Sequence, residues 1–77
     1  MISELDLVVL THAIGVHGLR KGDIGTVVHC YRDGEGFEVE FVRADGSTVA
    51  VLTLDRTEIR PMEGAEILRV RELAPAA

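Results

Sequence analysis

Alternating apolar and polar residues, interrupted by glycine-containing turns, run through most of this chain. In the clearest run Phe37, Val39 and Phe41 alternate with Glu38 and Glu40. Successive side chains of a strand point to opposite faces. This run therefore predicts a strand with its three apolar side chains toward a core and its two carboxylates toward water.

Similar patterns predict a small all-β fold. The predicted strands are residues 5–11, 24–31, 37–42 and 48–54, followed in residues 55–61 by a short 3₁₀ turn and a brief last strand. Asp33-Gly34 and Asp45-Gly46 supply the positive φ that tight hairpin turns need. Strands joined this tightly favour a meander that curls into a partly open barrel. The fourth predicted strand is the most apolar, so we expect it to be central.

The same alternation predicts the core. In the first strand we expect Val8 and Leu10 inside, and in the second Val28 and Cys30, which leaves His29 exposed. The predicted core is Val8, Leu10, Leu19, Ile24, Val28, Cys30, Phe37, Val39, Phe41, Leu52 and Ile59.

The pattern divides the chain into a five-stranded SH3-like barrel, residues 1–62, and a C-terminal tail, residues 63–77. The tail fits either an edge strand or two helical turns, and it carries large apolar side chains that would be a hazard if left uncovered. It is expected either to fold back over Leu7 and Val9 or to pair with a second copy or a foreign partner.

Composition limits the class of function. The 77 residues fit one domain, and the net charge of −5 is the reverse of what phosphate binding favours. A single cysteine excludes an intrachain disulfide and points to a reducing cytoplasm. No basic leader and no long apolar run is seen, so we expect neither a signal peptide nor a membrane span.

The residues that could carry chemistry do not form a known arrangement. His12, His17, His29 and Cys30 show no spacing typical of a metal site, and no serine stands in a nucleophile motif. We therefore expect no enzyme activity, no metal and no cofactor. The basic pair Arg20-Lys21 occupies the loop position where KOW-type barrels touch RNA, which keeps a nucleic-acid-binding domain as the alternative.

Several short motifs resemble a family of small, stand-alone bacterial domains, domain of unknown function 4926. The motifs are Leu5-Asp6, Val8–Thr11, His17–Leu19, Lys21–Asp23, Gly25–Val28 and Phe37–Phe41. The resemblance implies an SH3-like fold and supplies no site residues. It also implies genes for small toxin-like proteins nearby, and hence an antitoxin or immunity role.

A fainter similarity, over Arg20–Val28 and Glu38–Phe41, is to the SH3-like domain of the nitrile hydratase beta subunit. The tryptophan-bearing segment of that domain is missing here, so no subunit function is implied.

Together these observations predict a non-enzymatic, cytoplasmic protein-interaction module. Its expected partner is another protein, basic or toxin-like, with a homodimer as a further expectation and with nucleic acid and membranes disfavoured. The residues expected to make the interaction are Arg20, Lys21, Ile67, Leu68, Val70 and Leu73.

Overall fold

A computed structural model of the protein describes residues 1–67, which form one antiparallel sheet. The strands are β1 (Leu7–Leu10), β2 (Ile24–Cys30), β3 (Gly36–Val42), β4 (Thr48–Asp55) and β5 (Ile59–Pro61). Their order in the sheet is β4-β3-β2-β1-β5. The all-β, five-stranded prediction is confirmed. The sheet is open, with β4 and β5 at its two edges.

The short 3₁₀ turn is present, but at Gly15–His17 in the β1–β2 connection rather than in residues 55–61. Gly18 ends it in the left-handed conformation, at φ 71°. Between β4 and β5 the chain makes a single hydrogen-bonded turn instead, in which the Glu58 N–H donates to the Asp55 carbonyl oxygen at 3.0 Å. The Asp55 carboxylate also accepts from the Thr57 N–H, as expected of a capping residue.

The prediction that residues 48–54 form a central strand is wrong, because in the sheet of residues 1–67 β4 pairs only with β3 and lies at an edge. The apolar residues of β4 instead reflect the contact of one of its faces with the core, where Leu54 is buried and Leu52 packs against the core cluster. The hydropathy of its side chains does not determine whether a strand pairs with one neighbour or with two.

The core follows the predicted pattern in β1 and β3 and departs from it in β2. Val27 is fully buried, whereas Val28, predicted to be inside, is 42% exposed. The register explains the difference. Val27 pairs with Val39 and His29 pairs with Glu38, so one extra residue forms a β-bulge between them. A bulge reverses the alternation that follows it.

The remaining core predictions are largely met. Leu19, Phe37, Phe41 and Ile59 are buried, and Cys30 packs against the cluster while staying partly exposed. Ile24 and Leu52 are also only partly buried.

Gly25 permits a close approach between β2 and β3. A Cβ placed on Gly25 would lie 2.6 Å from Val39 Cγ1 and 2.8 Å from Phe41 Cε1. Side chains of β3 therefore occupy the space that any larger residue in β2 would need, and a glycine is required here. No helix among residues 1–67 is long and apolar enough to span a membrane.

Candidate interaction surfaces

The basic pair lies on a tight turn that leads into β2. The Arg20 N–H donates to the Asp23 carboxylate at 2.7 Å, and Gly22 adopts the positive φ, 93°, that the turn requires. The turn is fixed to the end of β1, since the Gly22 N–H donates to the Leu10 carbonyl oxygen at 2.9 Å. Arg20 and Lys21 are both exposed, and within residues 1–67 neither side chain forms a salt bridge.

The start of the tail is held by a charged clasp between Arg60 and Glu66. The two guanidinium nitrogens of Arg60 donate to the two Glu66 carboxylate oxygens at 2.7 and 2.6 Å. The Glu63 N–H donates to the same carboxylate at 2.6 Å. These hydrogen bonds lower the pKa of Glu66 to about 2, and the bond from Arg60 has the largest effect. The clasp fixes the direction in which the chain leaves β5.

The predicted interaction residues do not form one surface. The Arg20-Lys21 turn lies beside Leu10, whereas the tail leaves the sheet beside Leu7, whose carbonyl oxygen accepts the Met62 N–H at 3.2 Å. These are opposite ends of β1. Ile67 is 90% exposed. Leu68, Val70 and Leu73 lie outside the described residues, as does most of the tail expected to cover Leu7 and Val9.

A third surface carries a connected set of side-chain hydrogen bonds. We name it the acidic face and define it as Tyr31, Glu38, Glu40, Thr48, Val51 and Thr53. These residues lie on the outer side of the β2–β3–β4 meander. Register places Glu38 opposite Thr53 and Glu40 opposite Val51.

Hydroxyl groups orient both carboxylates of the acidic face. Glu38 Oε1 accepts from the Tyr31 hydroxyl at 2.7 Å and from the Thr53 hydroxyl. Glu40 Oε2 accepts from the Thr48 hydroxyl at 2.8 Å. The bonds from Thr53 and then Tyr31 lower the pKa of Glu38, and the bond to Glu38 raises the pKa of Tyr31. The ionised form of Glu38 is thus favoured, and each of the two carboxylates has one oxygen engaged by a hydroxyl group.

An aromatic edge borders this face. The rings of His29 and Tyr31 meet edge to face with centroids 4.9 Å apart, and His29 Nδ1 lies 3.8 Å from a Glu4 carboxylate oxygen. Sequence reasoning placed Glu38 and Glu40 toward water but missed their partners. Thr48 and Thr53 come from β4 and Tyr31 directly follows β2, so only the pairing of the strands identifies these partners.

Two further titratable side chains, those of His12 and Cys30, contact oxygen atoms elsewhere in the fold. His12 Nε2 lies 3.1 Å from a Glu58 carboxylate oxygen, and this bond, with a second to the Ala13 carbonyl oxygen, raises the pKa of His12. Cys30 Sγ lies 3.9 Å from the Ile2 carbonyl oxygen. Across residues 1–67 no three His, Cys, Asp or Glu side chains are grouped so as to hold a metal ion.

Fold and surface thus define a small all-β domain with an open antiparallel sheet and an ordered acidic outer face. The chain belongs to the family described as Domain of unknown function (DUF4926), whose family model matches residues 4–61. The resemblance drawn from the sequence motifs is therefore confirmed. No curated protein and no solved structure gives a significant match.

Proposed function

We propose that this domain is a non-enzymatic, cytoplasmic protein-interaction module whose acidic face binds a basic, toxin-like protein in an antitoxin or immunity role. The observation that carries the proposal is the fixed orientation of Glu38 and Glu40 by Tyr31, Thr53 and Thr48. An acidic surface whose side chains are already ordered loses less conformational entropy when a partner binds.

The chemistry of the face fits lysine and arginine side chains. Each carboxylate has one oxygen that accepts no hydrogen bond from residues 1–67, and charge-assisted bonds from cationic groups are the stronger kind. Val51 and Tyr31 are about half exposed beside these carboxylates and offer apolar contact to the stems of the same side chains. The net charge of −5 would steer a basic partner toward the domain.

We further propose that the sheet curls as an SH3-like, partly open barrel. In a flat sheet β4 and β5 would lie about 19 Å apart, four strand spacings of roughly 4.8 Å. They are joined by three residues that include a hydrogen-bonded turn, and such a turn spans less than about 7 Å. The Thr11 N–H also donates to Glu58 in this connection at 2.9 Å. This short link supports a strongly curled sheet.

Affinity capture with matched charge variants tests the interaction. Immobilised wild-type domain is incubated with extract of its source cell, and bound proteins are identified by mass spectrometry. We expect a basic protein that elutes with salt, is lost with Glu38→Gln/Glu40→Gln, and is kept with the control Glu35→Gln/Glu63→Gln. Equal capture by both double variants would refute a role for the acidic face.

The exposed Arg20-Lys21 turn favours a KOW-like nucleic-acid-binding domain as the second candidate, because neither charge is neutralised by an ion pair within residues 1–67. Fluorescence anisotropy with labelled RNA and DNA separates the two candidates. Submicromolar binding that weakens steeply with salt and is lost with Arg20→Gln/Lys21→Gln would establish the second candidate in place of the first.

A further inference from the structure

The chain segment that leaves β1 is bonded to the connection between β4 and β5. Thr11 directly follows β1, and its N–H donates to the Glu58 carbonyl oxygen at 2.9 Å. The Thr11 hydroxyl donates to the Thr57 carbonyl oxygen at 2.7 Å, across 46 positions of sequence. These bonds lie where β5 begins, since Ile59 pairs with Leu10 at the end of β1.

A histidine and a carboxylate join the same two segments through their side chains. His12 Nε2 lies 3.1 Å from Glu58 Oε2. The other oxygen of this carboxylate, Oε1, accepts from the N–H of Asp55, the last residue of β4, at 3.0 Å. His12 Nδ1 lies 2.8 Å from the Ala13 carbonyl oxygen. The Glu58 carboxylate thus bridges the end of β4 and the segment after β1.

Both ring nitrogens of His12 face oxygens that only accept hydrogen bonds. A backbone carbonyl and an ionised carboxylate have no proton to donate. Neutral imidazole has one N–H, so it can bond one of these oxygens and turns a lone pair toward the other, whereas imidazolium donates from both nitrogens. The geometry therefore favours the charged ring. The bond to Glu58, followed by that to Ala13, accordingly raises the pKa of His12.

We propose that His12 and Glu58 form a pH-dependent latch, in which imidazolium holds the β4–β5 connection against the end of β1 and neutral imidazole loosens it. Within residues 1–67 the charged groups that act on His12 are the carboxylates of Glu58 and Asp55, and both favour the imidazolium. The latch is a conformational device separate from the binding role of the acidic face.

The latch tightens at low pH and loosens at high pH. The His12 ring has an ordinary pKa of 6.5, and the fold raises this pKa. The stabilisation that the charged ring provides is thus fully present below the unfolded-chain value and is lost as the pH rises through the folded-state value. The two bonds of Thr11 involve no titrating group, so the connection loosens while the sheet stays paired.

An NMR titration of the histidine rings and the backbone amides of the full chain tests the latch. We expect a His12 midpoint above 6.5, with the Thr11 and Asp55 amide signals moving at the same midpoint, because both N–H groups bond Glu58. Glu58→Gln keeps the shape of the side chain and removes its charge, so it should lower the His12 midpoint. Glu63→Gln removes a charge beyond β5 and should leave that midpoint unchanged.

Thermal unfolding from about pH 5.5 to about pH 9 measures the linkage to stability. Wild type should unfold at a higher temperature than His12→Gln at the acid end, and the difference should shrink as the pH rises through the His12 midpoint. The control is His17→Gln, because His17 forms no ion pair within residues 1–67, and it should follow wild type.

Three results would each overturn the latch. The first is a His12 midpoint at or below 6.5, and the second is a midpoint that Glu58→Gln leaves unmoved. The third is a difference in unfolding temperature between wild type and His12→Gln that stays constant with pH. The NMR titration of wild type decides the question even if a variant fails to fold.

Discussion

Glu66 shows how a single side chain ties the tail to the sheet. Its carboxylate bonds Arg60 on β5 and the Glu63 backbone at once, so the position of the chain after β5 depends on one ionised group. The sequence contained the necessary charges, but Glu66 follows Arg60 by six positions, with a proline between them. Side chains six positions apart do not meet in a helix, where contacts are three or four apart, or in a strand, where they would lie about 20 Å apart, so the clasp could not be predicted.

The first prediction concerns the pH dependence of this clasp. The hydrogen bonds from Arg60 and then from the Glu63 N–H lower the pKa of Glu66 from its ordinary value of 4.5 to about 2. A lowered pKa means that the clasp stabilises the fold fully above pH 4.5, and that this contribution is lost as the pH falls through about 2. A carboxyl-detected NMR titration should give a Glu66 midpoint near 2.

Arg60→Gln is the matched variant for that titration. It removes the charge and keeps a similar stem, so the Glu66 midpoint should return toward its ordinary value. A wild-type midpoint already near 4.5 would show that the clasp does not persist in solution.

The second prediction tests the close approach at Gly25. Gly25→Ala forces a methyl group against Val39 and Phe41, and overpacking of this kind costs about 1–3 kcal/mol of unfolding free energy. Gly15→Ala is the control, because nothing lies within 4 Å of its Cβ position. Urea denaturation of both variants measures the difference. Equal stabilities would contradict the close packing of β3 against β2.

At the scale of elements, β2 and β3 show what side-chain alternation can and cannot predict. β3 is regular from Phe37 to Phe41, and its faces were predicted correctly. β2 contains the bulge between Val27 and His29, and an apolar pair such as Val27-Val28 gives no sign of which member is the inserted residue. The edge position of β4 is likewise set by pairing between distant segments.

The third prediction follows from the bulge. Val27→Ala removes fully buried methyl groups and should cost about 2 kcal/mol of unfolding free energy, while Val28→Ala should change it by less than about 0.5 kcal/mol. Thermal or urea unfolding of the two variants provides the measurement. The reverse order of stabilities would place Val28 in the core, as the uninterrupted alternation predicts, and would exclude the bulge.

At the scale of the whole molecule, the acidic composition and the single small β domain were evident from the sequence. The family was evident too, because its motifs are local and lie within residues 4–61. The acidic face was not, because strand register brings together residues of β3, of β4 and of the segment directly after β2. The proposed function of the acidic face follows from that assembly, because two oriented carboxylates suit a basic partner.

NMR mapping of the bound partner tests the central claim most directly. The captured basic protein is added to ¹⁵N-labelled domain, and the amide shifts are followed at low and high salt. We expect the largest changes at Tyr31, Glu38, Glu40 and Thr53, reduced at high salt and absent in Glu38→Gln/Glu40→Gln. Changes confined to the Arg20-Lys21 turn, or changes that persist unaltered in the double variant, would contradict binding through the acidic face.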